Sequence, residues 1–320
     1  MTFREYLKEN IVYLDGGMGT LLQARGLKPG QYPEMWNITQ SDIIRDIHKA
    51  YFDAGSNVVN ANTFGANTLK FSENELEKII AAAIKNARDG LEMSTGMQEK
   101  FVSLDIGPSG KLLKPYGDLD FEDAVELFAK VVRCGTKYGA DLITIETMND
   151  SYETKAALLA AKENSSLPTI VTNAYGEDGL LMTGASPEAM AAMLEGMGAD
   201  AIGANCSLGP EQLRGVMERL LACASVPVVL KPNAGLPRSV GGKTVYDVMP
   251  EEFALSIKDL TDMGVRVIGG CCGTTPEYIK MLVQRTKECK IKPLTDKNIT
   301  AASSYTHRVM FGSGPVLIGE

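Results

Sequence analysis

Histidine is nearly absent from this sequence of 320 residues, with only His48 and His307 present. His48 falls inside an amphipathic segment and His307 in a polar tail, so a histidine-based nucleophile relay or a three-histidine zinc site is not expected. Basic residues are also in deficit, 32 against 40 acidic, for a net charge of −8. That balance argues against a general nucleic-acid binder, which needs a basic face to release counterions. No stretch reaches the roughly 18–20 apolar residues of a membrane span. The opening residues, Met1 to Asn10, mix charged and apolar side chains without a hydrophobic signal core, so no signal peptide is expected. The expected setting is therefore the cytoplasm. The six cysteines are read as reduced thiols rather than as a disulfide framework.

With 44% hydrophobic and 22% charged residues, the composition is that of a chain able to bury a large core. One pattern recurs eight times: a short β-branched run, a polar or glycine-rich turn, then a longer amphipathic segment. The runs are Ile11–Leu14, Asn57–Asn60, Phe101–Leu104, Asp141–Ile145, Thr169–Thr172, Ala201–Ala204, Val226–Leu230 and Val265–Ile268. Helical spacing marks Ser41–Ala54, Asn74–Glu92, Phe121–Tyr138, Tyr152–Glu163, Pro187–Met197, Pro210–Ala222, Pro250–Met263 and Pro276–Lys287. Four of these open on proline, whose missing N–H has no partner to lose at a helix start. Alternating strand and helix implies parallel strands with right-handed crossovers. Eight such units predict an α/β chain with a (β/α)8 TIM barrel. The rival, an open doubly wound sheet, is disfavoured because the first turn, Asp15-Gly16-Gly17-Met18-Gly19-Thr20, lacks G-x-G-x-x-G spacing. The expected organisation is a single barrel domain over residues 1–289 and a linker tail over 290–320.

In such a barrel the active site forms at the C-terminal ends of the strands. Those ends supply a polar rim: Asp15, Asn60, Asn62, Thr63, Asp105, Glu146, Asn173, Asn205, Cys206, Lys231, Asn233, Cys271 and Cys272. Cys206 closes the sixth run and Cys271-Cys272 the eighth. Three thiols converging across the seventh strand would suit a tetrahedral Zn²⁺ with one exchangeable position. Neighbouring strand residues face opposite ways, so both members of the pair reach one ion only if the strand has begun to turn; Gly269, Gly270 and Gly273 allow that. From spacing alone, a redox pair or a chance pairing stands beside the zinc reading. Cys134, Cys223 and Cys289 lie in helical segments and read as small buried hydrophobes. Gly107-Pro108-Ser109-Gly110-Lys111 lacks the spacing of a phosphate loop. Trp36 either covers the barrel mouth or packs.

Six segments together resemble the homocysteine S-methyltransferase family: Asp15–Thr20, Asn60–Gly65, Ile145–Met148, Gly203–Pro210, Lys231–Pro237 and Gly269–Pro276. Within that family the sequence is most similar to the N-terminal homocysteine module of cobalamin-dependent methionine synthase. The resemblance implies Zn²⁺ held by Cys206, Cys271 and Cys272, with the metal keeping the homocysteine thiol ionised for methyl transfer. It implies that Asp15 and Glu146 accept from the substrate ammonium, and that the backbone of Gly16, Gly17, Met18, Gly19 and Thr20 meets its carboxylate. In the empty site a water or a nearby oxygen completes the metal's shell, Asn233 being the expected side chain. Pro315–Glu320 resembles the first strand of a methyltetrahydrofolate-binding barrel, so the chain reads as an excised module or a subunit ending at that boundary.

The expected donor is thus methylcobalamin on a separate corrinoid-binding domain or protein, with a methyltetrahydrofolate-binding domain as a further partner. Nucleic acid and membranes are not expected partners. A small donor such as betaine or S-methylmethionine is the alternative, and a non-enzymatic zinc or redox sensor the third reading.

Overall fold

The computed structural model describes residues 1–240, 243–312 and 314–316. Every expected run forms a strand: β1 (Val12–Tyr13), β2 (Val58–Asn60), β3 (Phe101–Ile106), β4 (Leu142–Met148), β5 (Thr169–Asn173), β6 (Ala201–Asn205) and β7 (Val228–Lys231). A hairpin of β8 (Arg238–Val240) and β9 (Lys243–Val245) is inserted before the eighth stave, β10 (Val267–Ile268). The staves are parallel in the order β1-β10-β7-β6-β5-β4-β3-β2. A parallel bridge between Leu14 and Val58 joins β1 to β2 and closes the ring. This is the (β/α)8 barrel.

The chain begins with α1 (Phe3–Glu9), and the first crossover holds α2 (Met18–Ala24), α3 (Trp36–Thr39) and α4 (Ser41–Ala54). After β2 to β6 come α5 (Glu73–Met93), α6 (Phe121–Lys137), α7 (Ser151–Asn164), α8 (Pro187–Gly196) and α9 (Pro210–Cys223). Then α10 (Pro250–Met263) follows the hairpin and α11 (Pro276–Thr286) follows β10. The prolines of α8, α9, α10 and α11 stand in the first turn, as their sequence positions predict. Trp36 packs against the core around the helices, so of its two expected roles it takes packing.

Along each stave alternate residues point inward. At the barrel floor Val12, Val58, Phe101, Leu142, Ile170, Ala201, Val229 and Val267 meet Phe3 and Leu7 of α1 in one apolar cluster. Phe3 stands edge-on to Phe101 with ring centroids 5.4 Å apart. The mixed composition of the N-terminus had given no sign of this plug. It forms because Thr2 and Glu5 make a capping box, leaving Phe3 and Leu7 on one face.

The tail departs from the expected linker. β11 (Ala301–Ser303) and β12 (Arg308–Met310) pair antiparallel. Ser151 Oγ donates to the Tyr305 carbonyl at 2.7 Å, and the Ser186 N–H to that of Thr306 at 3.2 Å. Three-residue strands are too short to leave a readable period. Residues 314–316 form no strand, and the rest of the expected terminal strand, Leu317–Glu320, lies outside the described residues. Cys289 sits just past α11 rather than within a helix. Among the described residues no helix is long and apolar enough to cross a membrane.

Candidate active site

Two turns deliver the sulfurs. Past β6 the chain bends sharply through Cys206 and Ser207, both left-handed at φ 59° and 55°. Such a conformation costs a non-glycine residue about 1–2 kcal/mol. It is held by the Cys206 N–H donating to the Lys231 carbonyl at 3.0 Å. Past β10, the Cys271 N–H donates to Pro232 O at 2.8 Å and the Cys272 N–H to Asn233 Oδ1 at 3.0 Å. Both cysteines therefore lie beyond the strand, in a turn, where both thiols can face one point. Gly273 makes that turn with φ 81°, and a Cβ there would strike the ring of Tyr246, which follows β9.

The three Sγ atoms lie within 4.8 Å of one another, Cys206 and Cys272 at 3.9 Å. Tetrahedral bonds of about 2.3 Å to a zinc ion set sulfurs about 3.8 Å apart, so the triad fits such an ion. Hydrogen bonds with Cys206 and Cys271 draw the Cys272 thiol below its ordinary range, while bonds with Cys206 and Cys272 push Cys271 up. Asn233, 3% exposed, holds the Cys272 turn with its side-chain oxygen rather than offering it to an open coordination position.

Beside the sulfurs lies a buried charge cluster. Lys231 Nζ is 2.9 Å from Glu146 Oε2 and 3.3 Å from Asp15 Oδ1, with all three side chains at most 8% exposed. Burial opposes the lysine's charge, but Glu146 and Asp15 outweigh it and raise its pKa well above the usual range. Burial also pushes Asp15 up to about 6, only partly offset by Lys231 and the Asn60 N–H. That N–H donates to Asp15 Oδ2 at 2.8 Å, so both Asp15 oxygens are engaged. Asn60 Nδ2 donates to Glu146 Oε2 at 3.1 Å.

Asn205 clamps the next residue, Thr147, a β-branched side chain at φ 62°. Its Oδ1 accepts from the Thr147 N–H at 2.7 Å and from Thr172 Oγ1 at 2.8 Å, and its Nδ2 donates to Thr147 Oγ1 at 2.7 Å.

A cavity of about 380 Å³ joins these parts. It is lined by Cys206, Cys271, Cys272, Asp15, Glu146 and all of Gly16–Thr20. Of the expected site residues, Asn233 alone stands behind the wall. The wall also includes Lys231, Glu34, Asp105 and Phe64. Lys231 and Asp105 belonged to the polar rim but carried no assigned role. Glu34, in a one-turn 3-10 helix (Pro33–Met35) between α2 and α3, carried no assigned role.

A closed parallel barrel with three thiols and a paired ion cluster at its C-terminal mouth defines an enzyme of thiol chemistry. Residues 12–286 match the homocysteine S-methyltransferase family. The chain belongs to that family, whose reaction methylates the sulfur of homocysteine to give methionine. Among solved structures, the metallated form of the homocysteine methyltransferase MmuM from Escherichia coli is similar, with TM-score 0.73 and 23% identity over 87% of this chain and 97% of that one. The oxidized form gives 0.73 and the apo form 0.70, at the same identity and coverage. At this identity the likeness speaks for the fold.

Proposed function

We propose that this chain methylates homocysteine at a Zn²⁺ held by Cys206, Cys271 and Cys272, taking the methyl group from a methylcorrinoid on a separate domain or protein. The observation that carries the reading is the convergence of three sulfurs within 4.8 Å at the wall of a cavity with acidic side chains. When bound, Zn²⁺ supplies Lewis acidity that ionises a thiol near neutral pH. Three cysteine thiolates over-neutralise a divalent ion, so they keep a fourth sulfur electron-rich and nucleophilic. Glu146 accepts from the substrate ammonium, and Asp15 holds Lys231 against it. The N–H groups of Met18, Gly19 and Thr20, in the first turn of α2, lack intrahelical partners and face the substrate carboxylate.

The wall bears on betaine as the alternative donor. Quaternary ammonium donors are recognised by aromatic faces, and among the described lining residues Phe64 is the sole aromatic. Phe64, which lines the cavity, is 40% exposed and offers an apolar face toward an incoming donor. The test supplies zinc-loaded protein and homocysteine with methylcobalamin, betaine or S-methylmethionine in turn. Methionine from methylcobalamin alone is expected. Methionine from a small donor but not from methylcobalamin would replace the corrinoid assignment.

A further inference from the structure

Five ionisable groups line the cavity besides the cysteines, and their hydrogen bonds are unequally shared. Asp15 has both oxygens engaged by Lys231 and Asn60, and Glu146 Oε2 takes donors from the same two residues. Glu34 Oε1 accepts from the Gly65 N–H at 2.7 Å, while its Oε2 is buried without a partner. Asp105 is the extreme case. It is 6% exposed, its Oδ1 is buried and unpartnered, and no described residue donates to either oxygen. Its backbone is nonetheless pinned: its N–H donates to Thr63 Oγ1 at 3.1 Å, and Thr63 Oγ1 donates to its carbonyl at 2.8 Å.

A buried acceptor without a donor costs about 1–3 kcal/mol, and more when charged. Two such side chains in one cavity mark a place for an absent donor. Lys231 cannot fill it, because Asp15 and Glu146 hold its ammonium. What fits is a small cation with several N–H groups, and a primary ammonium carries three. The geometry points to Asp105 as a further binding residue that, with Glu34 and Glu146, receives the ammonium of the amino-acid substrate. The inference rests on the homocysteine reading above.

Burial also bears on the charge of Asp105. Asp105 is faced by Asp15, Glu34, Glu146 and Lys231. Burial above all, then Glu146, Asp15 and Glu34 against Lys231, raise its pKa well above the carboxylate range. In the empty cavity the charged form of Asp105 is thus disfavoured. When the ammonium arrives, any proton Asp105 carries passes to solvent, and the carboxylate accepts an N–H of the intact ammonium. The site thereby selects amino-acid thiols over thiols that lack the amine.

Calorimetric titration of the zinc-loaded protein and of Asp105→Asn tests this, with L-homocysteine and 4-mercaptobutyrate as probes. Each is run in two buffers of different ionisation heat, which counts protons released. Both thiols lose the thiol proton, so the difference between them isolates the amine. The wild type should bind homocysteine more tightly than 4-mercaptobutyrate and release more protons with it. In Asp105→Asn the homocysteine Kd should rise about 10- to 100-fold, the range of one charge-assisted hydrogen bond. The 4-mercaptobutyrate Kd should stay put and the extra release should vanish, with Glu34→Gln moving the same way by less. Equal weakening of both thiols, or of neither, overturns the assignment of Asp105. Should that variant not fold, Glu34→Gln decides: weakening of homocysteine alone supports the shared ammonium site, and equal weakening of both thiols, or of neither, overturns it. A wild type that binds no homocysteine overturns the homocysteine reading, and the ammonium site with it.

Discussion

At the floor of the barrel β3 and β4 begin with Phe101 and Leu142; four residues on, at the mouth, they present Asp105 and Glu146. Both ends are equally dry, with Leu142 at 0% exposure and Glu146 at 6%. Between them Ser103 and Thr144 share a hydroxyl–hydroxyl bond of 2.7 Å. One inward-facing row thus passes from apolar to hydroxyl to charge while keeping its period of two. The floor is sealed by α1 and has only packing to provide. The mouth buries carboxylates that are stable because Lys231 is buried with them, and it leaves Asp105 unmatched for a ligand. Burial is common to both ends; what separates them is whether each group has a partner.

The largest test of that contrast is Lys231→Met, which leaves Asp15 and Glu146 buried without a cation. Removing one partner of a buried pair costs about 3–5 kcal/mol. Urea unfolding should show that loss, and adding Glu146→Gln should recover part of it. A Lys231→Met protein as stable as the wild type would dissolve the contrast. Next, Leu142→Ala at the floor should cost about 2–5 kcal/mol but leave the metal content of the folded protein unchanged. Loss of metal there would mean that the two ends are not separable.

His48, in α4 outside the barrel, sharpens the comparison because it is buried with neither ring nitrogen partnered. Burial lowers its pKa from 6.5 to about 3. The unfolded chain therefore binds the extra proton below pH 6.5, and stability falls as pH drops from there toward 3. His48→Leu should reduce the stability difference between pH 7 and pH 5 by about 2 kcal/mol, read from unfolding at both values. An unchanged difference would show that this histidine is not held neutral. The smallest effect belongs to the middle row, where Ser103→Ala removes one neutral hydrogen bond. About 1 kcal/mol is expected, and a loss matching that of Lys231→Met would erase the gradient.

Much of this was legible in the sequence. The eight β-branched runs and the four helix-opening prolines gave the barrel because packing in it follows strict local periods. Cys206, Cys271 and Cys272 were legible because strand ends of a barrel share one mouth, and glycines beside the pair announced the turn. Lys231 was not assigned a role, since a lysine at a strand end ordinarily reads as solvated; its burial between β1 and β4 is a product of ring closure. Asn233 shows the reverse: its place at a strand end was clear, but its side chain turns back to the Cys272 N–H. Glu34 reaches the cavity from a single 3-10 turn, and that turn, like the hairpin at 301–310, is too short to mark itself by period.

The central claim is that three thiols from two non-adjacent strands hold one zinc ion whose remaining position takes the substrate sulfur. Zinc-edge X-ray absorption of the protein, before and after homocysteine, measures it most directly. The account predicts one zinc per chain with three sulfur neighbours near 2.3 Å, rising to four when homocysteine is added. A zinc shell with fewer than three sulfurs, or one that homocysteine leaves unaltered, would contradict it.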